Sequence, residues 1–309
     1  MTMKIPHPIP YQGSKRALAK YILPFFPLDI ATLIEPFAGS AAISIAAAAH
    51  RKAEHFHLND INSSLMALWQ EIITHPEAIA AQYEVLWQEQ QGNARAFYDR
   101  VRDEFNRTHR PDCLLYLLAR CVKASVRYNA NGDFNQSPDN RRLGRNPEQM
   151  RADILAVSKL LRNKTILTSV DYTEVLACAT PEDLVYMDPP YQGVCTTGDP
   201  RYFSRVDFDT LMQELDKLNR RGVPFILSYD GRTGEKSYGQ TLPEALGVYH
   251  LEIKTGRSTQ ATLLGRADMT YESVYLSRNL VEMLRVAPAE IIAFHADHQA
   301  ALFDFEAMS

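Results

Sequence analysis

Three kinds of residue in this chain have the types and spacing to do chemistry. The first is a carboxylate at the end of an apolar run: Leu184 to Tyr191 reads Leu-Val-Tyr-Met-Asp-Pro-Pro-Tyr. Pro189 and Pro190 have no N–H, so the backbone beyond Asp188 offers only carbonyls. Asp188 and the Pro189 carbonyl are thus two acceptors beside the flat ring of Tyr191, a set suited to a planar ligand with an NH2 group, such as adenine or cytosine. The second is a polar turn, Tyr11-Gln-Gly-Ser-Lys15, in which Gly13 permits close backbone approach and Lys15 brings a positive charge to a helix mouth. Read alone, that turn is an ordinary cap. The third is a polar loop from Arg127 through Asn129 to Asn135, followed by Arg141, Arg142 and Arg145. Basic residues interleaved with Tyr, Asn and Phe suit phosphate contact and base-edge bonding.

The elements that must position these residues are legible in the hydrophobic pattern. Ala31 to Glu35 predicts a short buried strand, Pro36 to Ser40 a glycine-containing loop, and Ala41 to His50, eight of ten residues apolar, a tightly packed helix. A strand, glycine loop and helix make a nucleotide-binding half-unit with the helix N-terminus aimed at the ligand. Neither a Gly-x-Gly-x-x-Gly nor a Walker lysine is present, which argues against a dinucleotide or triphosphate. A second strand, His55 to Asn59, ends at Asp60, an acid about 20 positions beyond the glycine loop and so placed for ribose hydroxyls. Strands follow at 165–169, with Val170-Asp171-Tyr172 at the end, and at 184–187 and 224–228, helices after Tyr172 to Cys178 and at 206–221, a turn at Asp230-Gly231, and an antiparallel pair at 248–253 and 271–276 with a polar loop holding Arg257-Ser258 between them. Ligands of such open sheets bind beyond the carboxyl ends of the strands, where Asp188 would stand.

Between the second and third strands lie helical patterns at 66–79, 80–91, 94–107, 111–126 and 146–162. That is too much for a simple crossover, so the organisation predicted is a discontinuous catalytic domain, 1–63 and 164–309, with a helical insertion at 64–163. Charge marks the insertion: residues 100–164 carry 14 Lys and Arg against 7 Asp and Glu, a balance of +7 that leaves −11 for the rest of a chain whose net charge is −4. A basic region in an acidic molecule is expected where one part touches phosphates. Cysteines 113, 121, 178 and 195 form no close pair, which supports neither a disulfide framework nor zinc. His295 and His298 lack a third ligand, and no metal is expected. The absence of a signal sequence or a spanning apolar run points to a cytoplasmic protein without membrane association.

Taken together these stretches resemble the Dam-type family of DNA adenine methylases, the alpha group of N6-adenine-specific DNA methyltransferases, over roughly residues 8–278. Tyr-Gln-Gly-Ser-Lys, Glu35-Pro-Phe-Ala-Gly-Ser40, Asn59-Asp60-Ile-Asn and Asp188-Pro-Pro-Tyr191 occur in the family's order. The resemblance implies a Rossmann-like α/β methyltransferase fold with an inserted helical target-recognition domain, S-adenosyl-L-methionine as cofactor, and methylation of adenine N6 in double-stranded DNA. It assigns Tyr11, Lys15, Phe37, Gly39, Ser40, Asp60 and Asp188 to the cofactor and Asp188, Pro189 and Tyr191 to catalysis. DNA contacts fall on Arg127, Asn129, Asn135, Arg141, Arg142 and Arg257. A cytosine N4 or RNA methyltransferase on the same scaffold, or an inactive DNA-binding relative, are the alternatives, and a cognate restriction endonuclease acting separately is compatible with it. Two departures stand out: Ala41 replaces the usual second loop glycine, and Val122-Lys123 stands where some members carry a Tyr-Asn pair.

Overall fold

The structure, a computed structural model, describes residues 5–190, 206–233, 236–238, 242–257, 269–284, 287 and 289–290; at 230, 232–233, 236–238, 255–257 and 269 it describes the backbone alone. After a one-turn helix α1 (Ala19–Ile22), the first unit is β1 (Thr32–Glu35), α2 (Ala42–Ala49) and β2 (His55–Asn59). Five helices follow: α3 (Ser63–Thr74), α4 (Pro76–Glu89), α5 (Ala94–Thr108), α6 (Pro111–Arg120) and α7 (Pro147–Leu161). The chain then returns through β3 (Thr165–Thr168), α8 (Tyr172–Cys178), β4 (Leu184–Met187), α9 (Phe208–Arg220) and β5 (Phe225–Thr233). It closes with β6 (Lys236–Tyr238), β7 (Tyr249–Arg257), β8 (Met269–Leu276) and α10 (Arg278–Leu284).

The strands form one sheet in the order β3-β2-β1-β4-β5-β8-β7, with β6 paired to β5. β1 to β5 run parallel, whereas β8 lies antiparallel between β5 and β7. The order reverses between β1 and β4, and at such a switch point the strand ends open a crevice. Parallel strands covered on both faces must be apolar on both, and β4 shows it: Leu184 and Tyr186 join one core, Val185 and Met187 the other. The first core also holds Trp69, Tyr83, Tyr98, Phe105, Tyr116 and Ile154 from α3 to α7, so the inserted helices pack into the same hydrophobic interior as one face of the sheet.

Local chemistry sets the boundaries. Asn62, Asn93, Asn146, Asp171 and Asp207 each cap the helix that follows, accepting from Leu65, Ala96, Glu148 and Gln149, Thr173 and Thr210 N–H groups. The helical pattern expected over 66–79 breaks because Pro76 opens α4.

Two sequence expectations are corrected. The helix expected over 111–126 stops at Arg120, where the backbone finds partners elsewhere: Val122 N–H donates to the Ser137 carbonyl at 2.9 Å, and the Ala124 carbonyl accepts from Gln12 at 2.9 Å. Lys123 and Ala124 are consequently held left-handed, at φ 59° and 51°. Asp230-Gly231 is not a turn. β5 runs on through it with a register shift between Ser228 and Gly231, and a Cβ at Gly231 would lie 2.4 Å from the Tyr271 carbonyl oxygen. Glycine is there because β8 approaches closely, not because the chain reverses.

Candidate active site

A cavity of about 250 Å³ opens at the switch point, lined by the Tyr11–Lys15 turn, the Glu35–Ser40 loop, Asn59–Asn62, Val170–Tyr172, Tyr186 and Asp188–Pro190. Its rim is tied together by side chains at the strand ends. Asn59, almost wholly buried, donates to the carbonyls of Pro36 (3.0 Å) and Val170 (3.1 Å) and accepts from Thr168 Oγ1 (2.8 Å) and Val170 N–H (3.0 Å). Asp60 accepts from Gly39 N–H and Asn62 N–H, both at 3.0 Å, which fixes the glycine loop to the end of β2; burial moves its carboxyl upward against those two bonds. Ser40 Oγ donates to Ser14 Oγ at 2.8 Å and Trp69 Nε1 donates to the Gly39 carbonyl at 2.9 Å, joining the first turn and α3 to the same loop. Gly39 and Ala41 are both left-handed, at φ 47°. At Gly39 a Cβ would sit 3.2 Å from the Tyr11 ring. At Ala41 the strain, about 1–2 kcal/mol for a non-glycine residue, accompanies the tight turn closed by its N–H on the Ala38 carbonyl.

The electrostatic centre is Lys15. Its ammonium, 9% exposed, lies 3.4 Å from Asp188 Oδ1 and 3.2 Å from Glu272 Oε2. Burial alone would lower its affinity for a proton, but the two carboxylates outweigh burial and raise it, so the lysine is charged. Phe37 and Tyr172, which also line the cavity, lie with ring centroids 5.0 Å apart and planes tilted by 36°. The cavity thus joins two aromatic rings, a glycine loop, an anchored acid and a half-buried carboxylate, the mix of flat and polar groups found in small-ligand sites.

Comparison with known proteins bears on what that ligand is. The D12 class N6 adenine-specific DNA methyltransferase family matches residues 11–257. The chain belongs to that family. Its sheet is the Rossmann-like methyltransferase fold. This D12-class chain is 29% identical to the modification methylase StsI of Streptococcus sanguinis, over 82% of its own length and 40% of the relative's. It is 29% identical to the retron Ec67 DNA adenine methylase of Escherichia coli (71% and 75%) and 28% identical to a DNA adenine methylase of Serratia marcescens (76% and 85%). The chain therefore spans about two fifths of the StsI methylase.

Of the residues singled out in the D12-class sequence, Tyr11, Lys15, Phe37, Gly39, Ser40, Asp60, Asp188 and Pro189 all line the one cavity. Tyr191, His295, His298 and Ser258 lie outside the described residues, as does the side chain of Arg257 at the end of β7. The loop from Arg127 stands beside the cavity. Val126 lines the cavity, Tyr128 is buried with its hydroxyl accepting from Asn62 Nδ2 at 3.2 Å, and the loop closes on itself at the Tyr128–Phe134 bridge. Arg127 Nε is buried and makes no hydrogen bond among the described residues. Asn129 shapes the loop, accepting from Asn131 and Asp133 N–H and donating one of its two amide hydrogens to Asp133 Oδ2. Asn135 is exposed, its N–H on the Arg127 carbonyl at 3.0 Å. Arg141 and Arg142 are exposed but both clamp Asp139, and their hydrogen bonds hold that carboxyl well below the usual range. No group of three or more His, Cys, Asp or Glu among the described residues is arranged to hold a metal, and no helix there is long and apolar enough to cross a membrane.

Three residues at or beside the site have no role assigned from sequence: Glu272, Tyr172 and Glu35, the last quoted only as the start of the glycine-loop motif. Only Glu35 had a usable signal, an acid ending a buried strand. It is 3% exposed and accepts from Ser44 N–H at 2.5 Å. Burial pushes its carboxyl up to about 8, opposed by the Ser44 hydrogen bonds and aided by the charge of Asp188. The folded chain thus keeps a proton that the unfolded chain releases near 4.5. Stability contributed by that proton is fully present below 4.5 and falls as pH rises toward 8, by roughly 3–5 kcal/mol for a buried group of this shift. Glu35→Gln removes the titration while keeping an acceptor for Ser44. Urea unfolding from pH 5 to 9 is expected to show the variant gaining on the parent across that window; parallel curves would contradict the buried proton.

Proposed function

We propose that this chain transfers a methyl group from S-adenosyl-L-methionine to N6 of an adenine extruded from double-stranded DNA. The observation that carries the reading is one cavity holding both sets of residues: Asp188 and Pro189 open onto the same space as the Tyr11–Lys15 turn and the Gly39 loop. The residues fit the donor. Phe37 and Tyr172 offer flat faces for its adenine, Asp60 an acid for ribose hydroxyls, and Tyr11, Lys15, Ser40 and the side-chain-free Gly39 a tight cradle where a Cβ would crowd the Tyr11 ring. When bound, the donor supplies an electrophilic methyl on a sulfonium.

The remaining work falls to the chain. The N6 lone pair of adenine is delocalised into the purine, and hydrogen bonds from the amine to Asp188 and the Pro189 carbonyl favour a more tetrahedral, nucleophilic nitrogen in the transition state. Stacking on Tyr191, worth ~1–3 kcal/mol, offsets much of the cost of extruding the base. Holding donor and amine in one cavity converts an encounter into a positioned reaction. Residues 1–63 and 164–309 form the catalytic part in this reading, and 64–163 the target-recognition insertion. Arg127, Asn129, Asn135, Arg141, Arg142 and Arg257 supply DNA contacts, those of Arg141 and Arg142 shared with Asp139. The relative named a modification methylase makes a cognate restriction endonuclease, acting separately, a fitting partner.

Tritium transfer from labelled donor to duplex DNA, followed by mass analysis of the digested nucleosides, tests the reading. N6-methyladenine is expected. N4-methylcytosine, or label in RNA alone, would move the substrate, and no transfer to any nucleic acid would leave a binding protein.

A further inference from the structure

Glu272 stands in the middle of β8, opposite Gly231 of β5 and Ile253 of β7, in a strand hydrogen-bonded on both sides. From there its Oε2 accepts from the Lys15 ammonium at 3.2 Å, while the same ammonium lies 3.4 Å from Asp188 Oδ1. Three elements far apart in sequence, the first turn, the end of β4 and the closing hairpin, meet at one nearly buried charge. The stoichiometry matters. A lysine facing Asp188 alone would make a neutral pair and draw acceptor strength from the carboxylate; among the described residues, two carboxylates share this ammonium. Glu272 thereby holds Lys15 in place and takes up part of its field. Burial holds Glu35 on β1 and Tyr186 on β4 toward their neutral forms, and the charge of Asp188 adds to it in both.

We propose that Glu272 is a positioning residue for methyl transfer: by sharing the Lys15 ammonium it orients the Asp188 carboxylate and preserves its strength as the acceptor for the substrate amine. The inference rests on the function proposed above. It extends the site to the antiparallel hairpin, beyond the strand ends that define the crevice, and gives the closing strands a part in the chemistry. The bulge at Gly231 brings β8 close to β5 directly across from Glu272. A rigid central strand is a suitable mount for a side chain that must hold another group in register.

Glu272→Gln keeps the shape and an acceptor for Lys15 but removes the charge. We expect kcat to fall ~10-fold with KM for DNA and for the methyl donor within ~2-fold, the pattern of an interaction realised in the transition state. The acid limb of kcat should move to lower pH, because the ammonium then acts on Asp188 alone. Glu272→Asp, which retains the charge, should restore the parental limb and serves where the Gln variant folds poorly. An activity-independent measurement accompanies these: acetic anhydride labelling of Lys15, read by mass spectrometry at pH 8, should rise at least ~5-fold in Glu272→Gln as the lysine loses a carboxylate that favours its charged form. Unchanged labelling would overturn the coupling itself. Raised labelling with parental kcat and acid limb would overturn the positioning role. A labelling response in a parent protein that transfers no methyl group would overturn the proposed function, and with it the role in transfer, while the ion-pair trio stands.

Discussion

Replacing Asp188 with Ala is expected to lower methyl transfer at least ~100- to 1000-fold while the protein still unfolds cooperatively and binds the methyl donor. The size follows from what the carboxylate is asked to do. An exocyclic amine is a poor nucleophile because its lone pair is shared with the ring, and the energy for localising it must come from acceptors that are already in position. In the proposed reaction Asp188 is the charged member of the two acceptors at the end of β4, and the Pro189 carbonyl cannot supply the missing charge. The fold should survive because the Asp188 side chain is 23% exposed and Lys15 keeps Glu272 as a partner at 3.2 Å.

Asp188→Asn separates charge from shape. The amide keeps an oxygen acceptor, but its NH2 is repelled by the ammonium of Lys15, so the oxygen turns toward the lysine and away from the substrate. Activity between that of the Ala variant and the parent is the expected pattern in single-turnover assays with saturating labelled donor. Turnover by Asp188→Ala within about tenfold of the parent would remove Asp188 from the mechanism, since losses from a single preorganised electrostatic contact run larger than that.

Much of this site could be read from the chain because its parts are local. Asp188, Pro189 and Asp60 directly follow strands and Gly39 lies in the loop after β1, and a strand end in a parallel sheet points at the crevice whatever lies elsewhere in the fold. Glu272 could not be read, because nothing in Met-Thr-Tyr-Glu-Ser-Val-Tyr-Leu marks its acid as different from one on a solvated strand; only the β5–β8 register, set 257 residues from Lys15, brings the two together. Tyr172 looked like a strand-end aromatic and proved to lie beside Phe37. The basic balance of residues 100–164 does not show which cations are free: Arg141, Arg142 and Arg145 are held by Asp139 and Asp153, acids already counted in it, and Arg151 by Glu77 from outside the segment. Asp230-Gly231 misled for a different reason: a turn-forming dipeptide met a close strand, and packing against Tyr271 overrode local preference.

The largest stability loss is expected at Asn59, a residue with no role in bond making. Its side chain is 1% exposed and satisfies four groups from two other segments: the Pro36 carbonyl after β1, and, at the end of β3, the Thr168 hydroxyl and both the N–H and carbonyl of Val170. Asn59→Ala leaves these groups facing a small void without partners, and unsatisfied buried groups cost about 1–3 kcal/mol each, of which relaxation and water recover part. A net loss of about 3–5 kcal/mol by urea unfolding is the expected result, at the upper end for a single substitution. Asn59→Asp is the sharper test. It keeps the volume and both acceptor contacts but turns an oxygen toward the two carbonyls, so at neutral pH it should be at least as damaging as Ala. A protonated acid can donate to one of those carbonyls, so the folded form should hold its proton above the unfolded value, and the deficit of the Asp variant should shrink as pH falls toward 4. A loss under 1 kcal/mol for Ala, or an Asp variant indifferent to pH, would mean that the three strand ends are held by packing alone. Because the same four bonds set the spacing between the glycine loop and the Val170 segment, the variants should also bind the methyl donor more weakly than their residual folding explains, a split that isothermal titration of the folded fraction would resolve.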